Sequence, residues 1–340
     1  MPLRIGLIGA GGNTRSMHIP GFQKIDGVEV AAVCNRTRLS GQRVADEFGI
    51  AKVYTDVADL LADSSIDAVC IGTWPYKHRE FTTAALRAGK HVLCEARMAM
   101  DLAEAREMLA ASEIHPSLVA QLVPAPFDFQ LGPTITRLVD EGALGELMEV
   151  TVTGLNGSGL DPSTPIHWRN VIKYSGRNIM MLGIYAEVIQ RWLGDTLTVV
   201  ADGRIAVNER PGGPDGTPQR VDVPDSFAVL GQLANGARIS YQLSALAAGG
   251  PPPGISLYGS KSTLHWTMGD RATLAAHGQK PEALQPDPGS NRGWCVEEDF
   301  VRSIREGAPV TLTSFADGVR YMRFVDAAWQ SWRESRRVAL

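Results

Sequence analysis

The apolar run Leu3–Ile8 passes without a spacer into Gly9-Ala10-Gly11-Gly12, and this junction limits the fold more than any other stretch. A short apolar run reads as a buried strand. Glycines directly after it let the backbone turn tightly into a helix. The same alternation continues: strand-like segments Val28–Cys34, Ala68–Ile71, His91–Cys94 and 117–121 are interleaved with helical patterns at 42–48, 79–88 and 102–111. Apolar strands separated by amphipathic helices build βαβ units whose parallel sheet is covered on both faces. Right-handed crossovers then make the sheet doubly wound. Residues 1–121 are therefore expected to form an α/β Rossmann domain.

The chain has 340 residues, more than one ordinary core requires, so a second domain is expected over 122–340. Pro124 and Pro126 mark the change, and 135–141 reads as a helix ending at Gly142. Beyond it, period-2 segments dominate: 148–153, 199–206, Ser226–Leu233 and 237–243, the last two joined by a hairpin signal at Asn235-Gly236. Such alternation predicts an α+β domain with a large open, mostly antiparallel sheet. The Gly/Pro-rich stretches 211–218 and 247–254 read as loops. Helical periodicity returns at 300–305 and 318–333, and these C-terminal helices are free to pack back on the first domain.

A formal net charge of -4 supplies no basic field for a phosphate backbone, so nucleic acid is not an expected partner. The local basic cluster at 333–337 reads as a solvated helix end. Cys34, Cys70, Cys94 and Cys295 lack metal-ligand or redox spacing, which predicts no metal site and a reducing compartment. No apolar run approaches the roughly 20 residues that span a bilayer. The opening residues also lack the pattern of an export signal. The expectation is a soluble, cytoplasmic protein with no membrane partner.

Glycines between a first strand and a helix allow a pyrophosphate to approach backbone N–H groups at the helix N-terminus. The candidate dinucleotide loop is Gly9, Gly11, Gly12, Asn13 and Thr14, with Thr14 where a third glycine is usual. After the second strand, an enzyme using NAD would usually present a carboxylate to the ribose 2′-hydroxyl. This chain presents Asn35-Arg36-Thr37 instead, which suits a 2′-phosphate. NADP(H) is the expected cofactor, with NAD(H) as the alternative.

Several segments together make the chain resemble the Gfo/Idh/MocA oxidoreductases, the relatives of glucose–fructose oxidoreductase and inositol 2-dehydrogenase. These are Gly9 to Gly12 with His18-Ile19-Pro20, then 66–71, 84–95, 142–146, Trp192-Leu193-Gly194 and 315–340, spread over nearly the whole chain. The resemblance implies a Rossmann domain followed by a domain whose open sheet lines a substrate cleft. It implies hydride transfer between a nicotinamide and a small polar carbonyl or alcohol, such as a sugar or cyclitol derivative. It also implies a homodimer or homotetramer formed through the second-domain sheet. Thr73, Trp74, His78 and Glu95 match positions flanking the cofactor, and Trp168 and Arg169 match a pair beside the substrate.

The resemblance breaks at the chemistry. Where the family has Glu-Lys-Pro, this chain has Glu95-Ala96-Arg97; where it has Asp-x-Gly-x-His, Met181 and Tyr185 stand at the ends of the motif. Alanine and methionine move no protons. The candidate catalytic group is Tyr185, which would need a lowered pKa or a reduction direction in which it simply donates. Lys173 or Arg97 are the cations that could assist it, and Tyr185 could also bind substrate. Two further functions stay open: a redox-neutral nicotinamide-dependent lyase or hydrolase, and a non-enzymatic NADP-binding regulatory protein.

Overall fold

A computed structural model describes residues 2–212, 217–290 and 292–340. Part of the glycine- and proline-rich stretch 211–218 lies outside the described residues. The chain packs as two compact units. The first holds residues up to Pro124 together with Cys295–Val319; the second holds Ala125–Trp294 and Arg320–Leu340.

In the first unit, β1 (Leu3–Ile8), β2 (Val28–Cys34), β3 (Lys52–Tyr54), β4 (Ala68–Ile71), β5 (His91–Cys94) and β6 (Ala120–Leu122) form a six-stranded sheet. Its order is β3-β2-β1-β4-β5-β6, and every pair is parallel. Strands β1, β2, β4 and β5 are largely buried, β4 along its whole length, which is why they read as apolar runs. Helices α1 (Ile19–Gln23), α2 (Arg38–Phe48), α3 (Val57–Ala62), α4 (His78–Arg87) and α5 (Leu102–Ile114) connect them. Side chains of Thr37, Asp56 and Asp101 cap α2, α3 and α5 by accepting backbone N–H groups. The Thr37 cap starts α2 four residues before the periodic pattern at 42–48. Within it, Gly41 lets the helix approach β3, since a Cβ there would lie 2.8 Å from Val53 Cγ1. Strand order reverses between β1 and β4, and ligands of doubly wound sheets bind at such a switch point.

The second unit is built on α6 (Gly132–Asp140), β7 (Leu147–Leu155), α7 (Ile172–Ser175), α8 (Leu182–Leu193), β8 (Thr196–Arg204), β9 (Glu209–Pro211) and β10 (Pro218–Arg220). It continues through β11 (Ser226–Leu233), β12 (Arg238–Ser244), β13 (Gly254–Gly259), β14 (Ser262–Thr267), β15 (Arg271–Ala276) and β16 (Glu282–Ala283). Helix α9 (Val296–Glu306) falls within the first unit's residues, and after it come α10 (Phe315–Glu334) and the last strand, β17 (Val338–Ala339). Nine strands make one sheet in the order β16-β15-β14-β13-β7-β12-β11-β8-β17. It is antiparallel except for the β12–β7 pair. Gly236, at φ +91°, forms the hairpin turn between β11 and β12. One face is covered, as shown by Tyr185 and Phe127 (5.4 Å between rings), Trp192 and Trp266 (6.1 Å) and Tyr241 and Phe324 (5.1 Å). On the other face Leu230 is 58% exposed and pairs across the strands with Val200, 40% exposed.

Near α8 a buried ionic knot holds the second unit together. Arg191 reaches Asp128 Oδ1 and Glu187 Oε1, each at 2.7 Å, and Trp192 Nε1 donates to Asp128 Oδ2 at 2.8 Å. Among the described residues no helix is long and apolar enough to cross a membrane.

Candidate active site

The turn after β1 assigns different work to its glycines. Gly9 has φ +85°, and a Cβ there would lie 2.6 Å from Thr73 Cγ2, so the turn itself demands glycine. Gly11 and Gly12 are exposed. A Cβ on Gly11 would meet only Gly72 O at 3.8 Å, and one on Gly12 would meet nothing within 4 Å. No neighbouring side chain demands glycine at these two places, and the open space suits a close-lying diphosphate. Thr14, standing for the third glycine, is buried, and its Oγ1 donates to Gly9 O at 3.2 Å. Gly72 across from it has no room for a Cβ, which would come within 2.0 Å of Thr14 Oγ1. Beside them, Thr73 Oγ1 is buried and without a hydrogen-bond partner, a polar atom available to a ligand.

At the end of β2, the structure separates the three residues expected to hold a 2′-phosphate. Asn35 Oδ1 accepts the Ala10 N–H at 2.8 Å and so fixes the glycine loop. Thr37 is committed to helix α2: its hydroxyl accepts Ser40 N–H at 3.3 Å and donates to Ser40 Oγ at 2.9 Å. Arg36 is exposed between them and is the group left to meet a phosphate.

On the loop after β4, Trp74 is 40% exposed and packs 6.3 Å from Tyr76. His78 is fully buried. Its Nε2 faces Thr73 O at 2.8 Å, while Nδ1 faces Arg97 O at 3.0 Å and Met98 O at 3.2 Å. Burial lowers its pKa, against the pull of these carbonyls. His78 thus ties the Thr73 loop to the segment after β5. Arg97, in that segment, is buried.

Glu95, at the end of β5, belongs to a constellation that sequence spacing could not reveal. Its Oε1 accepts from Asn13 Nδ2 and lies 3.0 Å from His18 Nε2, and its Oε2 accepts the Ala96 N–H at 3.1 Å. The other nitrogen of His18, Nδ1, is hydrogen-bonded to Glu297 on α9, which is 279 residues away in the chain. Burial alone would lower the His18 pKa, but the two carboxylates outweigh it and raise the value to about 9. Burial would raise Glu95, yet His18, Asn13 and the Ala96 N–H hold it below its ordinary value. His18 was visible only as part of a family-like His-Ile-Pro string, and Glu297 carried no signal at all.

In the second unit, Tyr185 on α8 is fully buried and its hydroxyl has no hydrogen-bond partner. Its ring end lies over β7 where Gly154 lacks a side chain: a Cβ there would be 3.5 Å from Tyr185 Cε2 and 3.7 Å from Oη. Burial pushes its pKa up to about 12, the opposite of what a base requires. Lys173 lies on a different helix. That lysine is exposed on α7, with Nζ 5.8 Å from the centre of the Tyr174 ring. Trp168 and Arg169 do come together, the guanidinium stacking 4.3 Å above the indole, with the His167 ring 5.4 Å from Trp168. Among the described residues, no group of three or more His, Cys, Asp or Glu side chains is arranged to hold a metal ion.

Comparison with known proteins identifies the family. The family described as "Oxidoreductase family, NAD-binding Rossmann fold" matches residues 3–120, and the "GFO/IDH/MocA C-terminal domain" matches 134–265. D-apiose dehydrogenase of Paraburkholderia graminis is 26% identical over 98% of this chain and 88% of its own length. Myo-inositol 2-dehydrogenase of Thermotoga maritima is 24% identical over 99% and 98%. Among solved structures, levoglucosan dehydrogenase in complex with NADH and L-sorbose superposes with a TM-score of 0.86 at 23% identity, covering 99% of this chain and 98% of that one. At that identity the superposition speaks for the fold alone.

Proposed function

Because the chain belongs to the GFO/IDH/MocA oxidoreductase family, we propose that it moves hydride between NADP(H), preferred over NAD(H), and a small polar carbonyl or alcohol of the sugar or cyclitol class. The observation that carries this reading is the loop after β1: open space at Gly11 and Gly12 beside the unpartnered Thr73 Oγ1. The residues that would hold the dinucleotide are Gly11, Gly12, Asn13, Thr73 and Glu95, with Arg36 at a 2′-phosphate. When bound, the cofactor supplies the hydride donor or acceptor. The preference for NADP(H) is supported by an exposed guanidinium, where enzymes using NAD usually place a carboxylate.

Tyr185 is assigned as proton donor to the reacting oxygen. A phenol with pKa raised to about 12 holds its proton at neutral pH, which favours carbonyl reduction over alcohol oxidation. Trp168 offers a flat apolar face for the C–H bonds of a ring, and Arg169 offers a fork for hydroxyl or carboxylate oxygens. The exposed sheet face carrying Leu230 and Val200 supports association into a homodimer or homotetramer, which light scattering on the purified protein would test.

The deciding experiment is fluorescence titration with NADPH and NADH, followed by a screen of sugars, cyclitols and small ketones for loss of nicotinamide absorbance. Tight binding with net NADPH oxidation is expected. Product formation without net change in the nicotinamide would overturn hydride exchange with free cofactor in favour of a redox-neutral cycle. Failure to bind either dinucleotide would overturn the reading altogether.

A further inference from the structure

Among the buried titratable groups of the first unit, His18 stands apart, because nothing in the proposed hydride transfer uses it. It is completely buried, at the end of the π-helical turn Thr14–His18 that follows the glycine loop. Such turns are rare and recur at functional positions. Both of its ring nitrogens face carboxylate oxygens, Glu95 on one side and Glu297 on the other. A neutral imidazole has one N–H and could donate to only one of them; both bonds are made only by the imidazolium. One positive charge then serves two buried negative ones, and the surplus negative charge needs further donors. Glu95 has them in Asn13 Nδ2 and the Ala96 N–H. Asn13 belongs to the glycine loop itself, so the orientation of Glu95 and that of the loop are joined.

The Glu297 end is fixed as firmly. A Cβ on Gly21 of α1 would fall 2.6 Å from Glu297 Oε2, so α1 lies directly against that carboxylate. The Glu95 end is not sealed: its side chain is 13% exposed, against 2% for Glu297. A carboxylate held ionised, oriented from behind and open in front is a receptor for hydroxyl donors, and the chemistry that fits it is a vicinal diol such as a ribose.

We propose that His18 is a positioning residue for the cofactor, holding Glu95 as an oriented anion that accepts the hydroxyls of the ribose in the nicotinamide half. The proposal rests on the dinucleotide reading given above. It makes affinity sensitive to alkaline pH through a group that never touches the ligand. Cys70, Cys94 and His78 do not change charge in the same range. Burial pushes the thiols of Cys70 and Cys94 far up, so they stay neutral, and burial of His78 favours its neutral form. Loss of the His18 proton, with its pKa raised to about 9, removes the donor to one of the two carboxylates.

The test measures NADPH dissociation constants by fluorescence between about pH 6 and 10 for wild type, His18→Gln and Glu297→Gln, with adenosine 2′,5′-bisphosphate as a probe lacking the nicotinamide half. Wild type should bind NADPH evenly up to about pH 8 and lose roughly tenfold in affinity as pH passes 9. His18→Gln should bind NADPH roughly tenfold more weakly at neutral pH, lose the alkaline step, and bind the bisphosphate as wild type does. Glu297→Gln, which keeps the His18–Glu95 contact but removes the second anion, should bring the alkaline step to lower pH. It reports on the same mechanism if His18→Gln does not fold. Equal weakening of NADPH and of the bisphosphate, or an unchanged alkaline step in both variants, overturns the positioning role and leaves the dinucleotide reading intact. Wild-type protein that binds neither NADPH nor NADH overturns both.

Discussion

Replacing Tyr185 with phenylalanine should move stability and turnover in opposite directions. The hydroxyl is buried and has no hydrogen-bond partner, and the ring is packed against Phe127 and over Gly154. A buried hydroxyl left unsatisfied costs about 1–3 kcal/mol, while a phenyl ring of the same shape keeps the packing. Tyr185→Phe should therefore stabilise the protein by about 1–2 kcal/mol. For a unit of this size that is a rise of roughly 3–6 °C in Tm. If the hydroxyl protonates the reacting oxygen, its loss should slow turnover by roughly 10²–10⁴-fold, the usual contribution of a positioned general acid. NADPH affinity should not change. Calorimetry on the cofactor-free protein and steady-state kinetics on the same preparation read both effects. A drop in Tm of a few degrees would refute the burial argument, because it would mean the hydroxyl has a partner that the phenyl cannot replace. Turnover within about twofold of wild type would remove Tyr185 from the chemistry.

Other perturbations separate folding from ligand binding. Gly12→Ala should melt as wild type does, since a Cβ there meets nothing, yet bind NADPH at least tenfold more weakly by intruding where a diphosphate would lie; isothermal titration reads this directly. Arg36→Asp should reverse the NADPH-to-NADH preference in dissociation constants without altering Tm, and an unchanged ratio would exclude Arg36 from cofactor selection. Arg191→Met strips the cation shared by Asp128 and Glu187, leaving buried carboxylates uncompensated, so denaturant unfolding should show a loss of about 3–5 kcal/mol. His18 should also be visible in stability against pH. Its folded pKa of about 9 lies above the ordinary 6.5, so its contribution is full below pH 6.5 and disappears as pH rises through 9. Between pH 7 and 9.5 the protein should lose on the order of 2 kcal/mol in urea melts, and His18→Gln should flatten that slope.

Legibility in the sequence followed burial. Strands β1, β2, β4 and β5 are covered on both faces, so their apolar runs announced themselves and their bounds agree with expectation. Three-residue β3 and six-residue α3 are too short to establish any period. Strands β13 and β14 carry Ser256, Thr263 and His265 on the uncovered side, and Gly254 and Gly259 at the ends, which blur the alternation. Helix α8 is buried nearly all round, so it has no polar face to mark its phase. At the site, the segment Gly9 to Thr14 was legible as a local motif because its residues act within their own turn. Pattern placed Asn35, Arg36 and Thr37 in one phosphate site, whereas the hydrogen bonds give Asn35 to the glycine loop and Thr37 to a helix cap. The partnership of His18 with Glu297 depends on a helix returning from the far end of the chain, and no local signal encodes that.

The threonine at the third glycine place carries a lesson about inheritance. Thr14 fills, with its hydroxyl, part of the space that a side chain on Gly72 would need, and the Gly9 carbonyl oxygen, 2.5 Å from the same point, fills the rest, so smallness is required at 72 whatever stands at 14. The expected genetics is asymmetric: Gly72→Ala should disrupt the turn beside Thr14 and beside a glycine at 14 alike, with a double-mutant cycle in which Thr14→Gly recovers only part of the loss. A descendant could therefore vary position 14 among small residues while position 72 stays glycine. A search that demands glycine at 14 would overlook chains of this kind, whereas one that asks for glycine at 72 and a small residue at 14 would keep them.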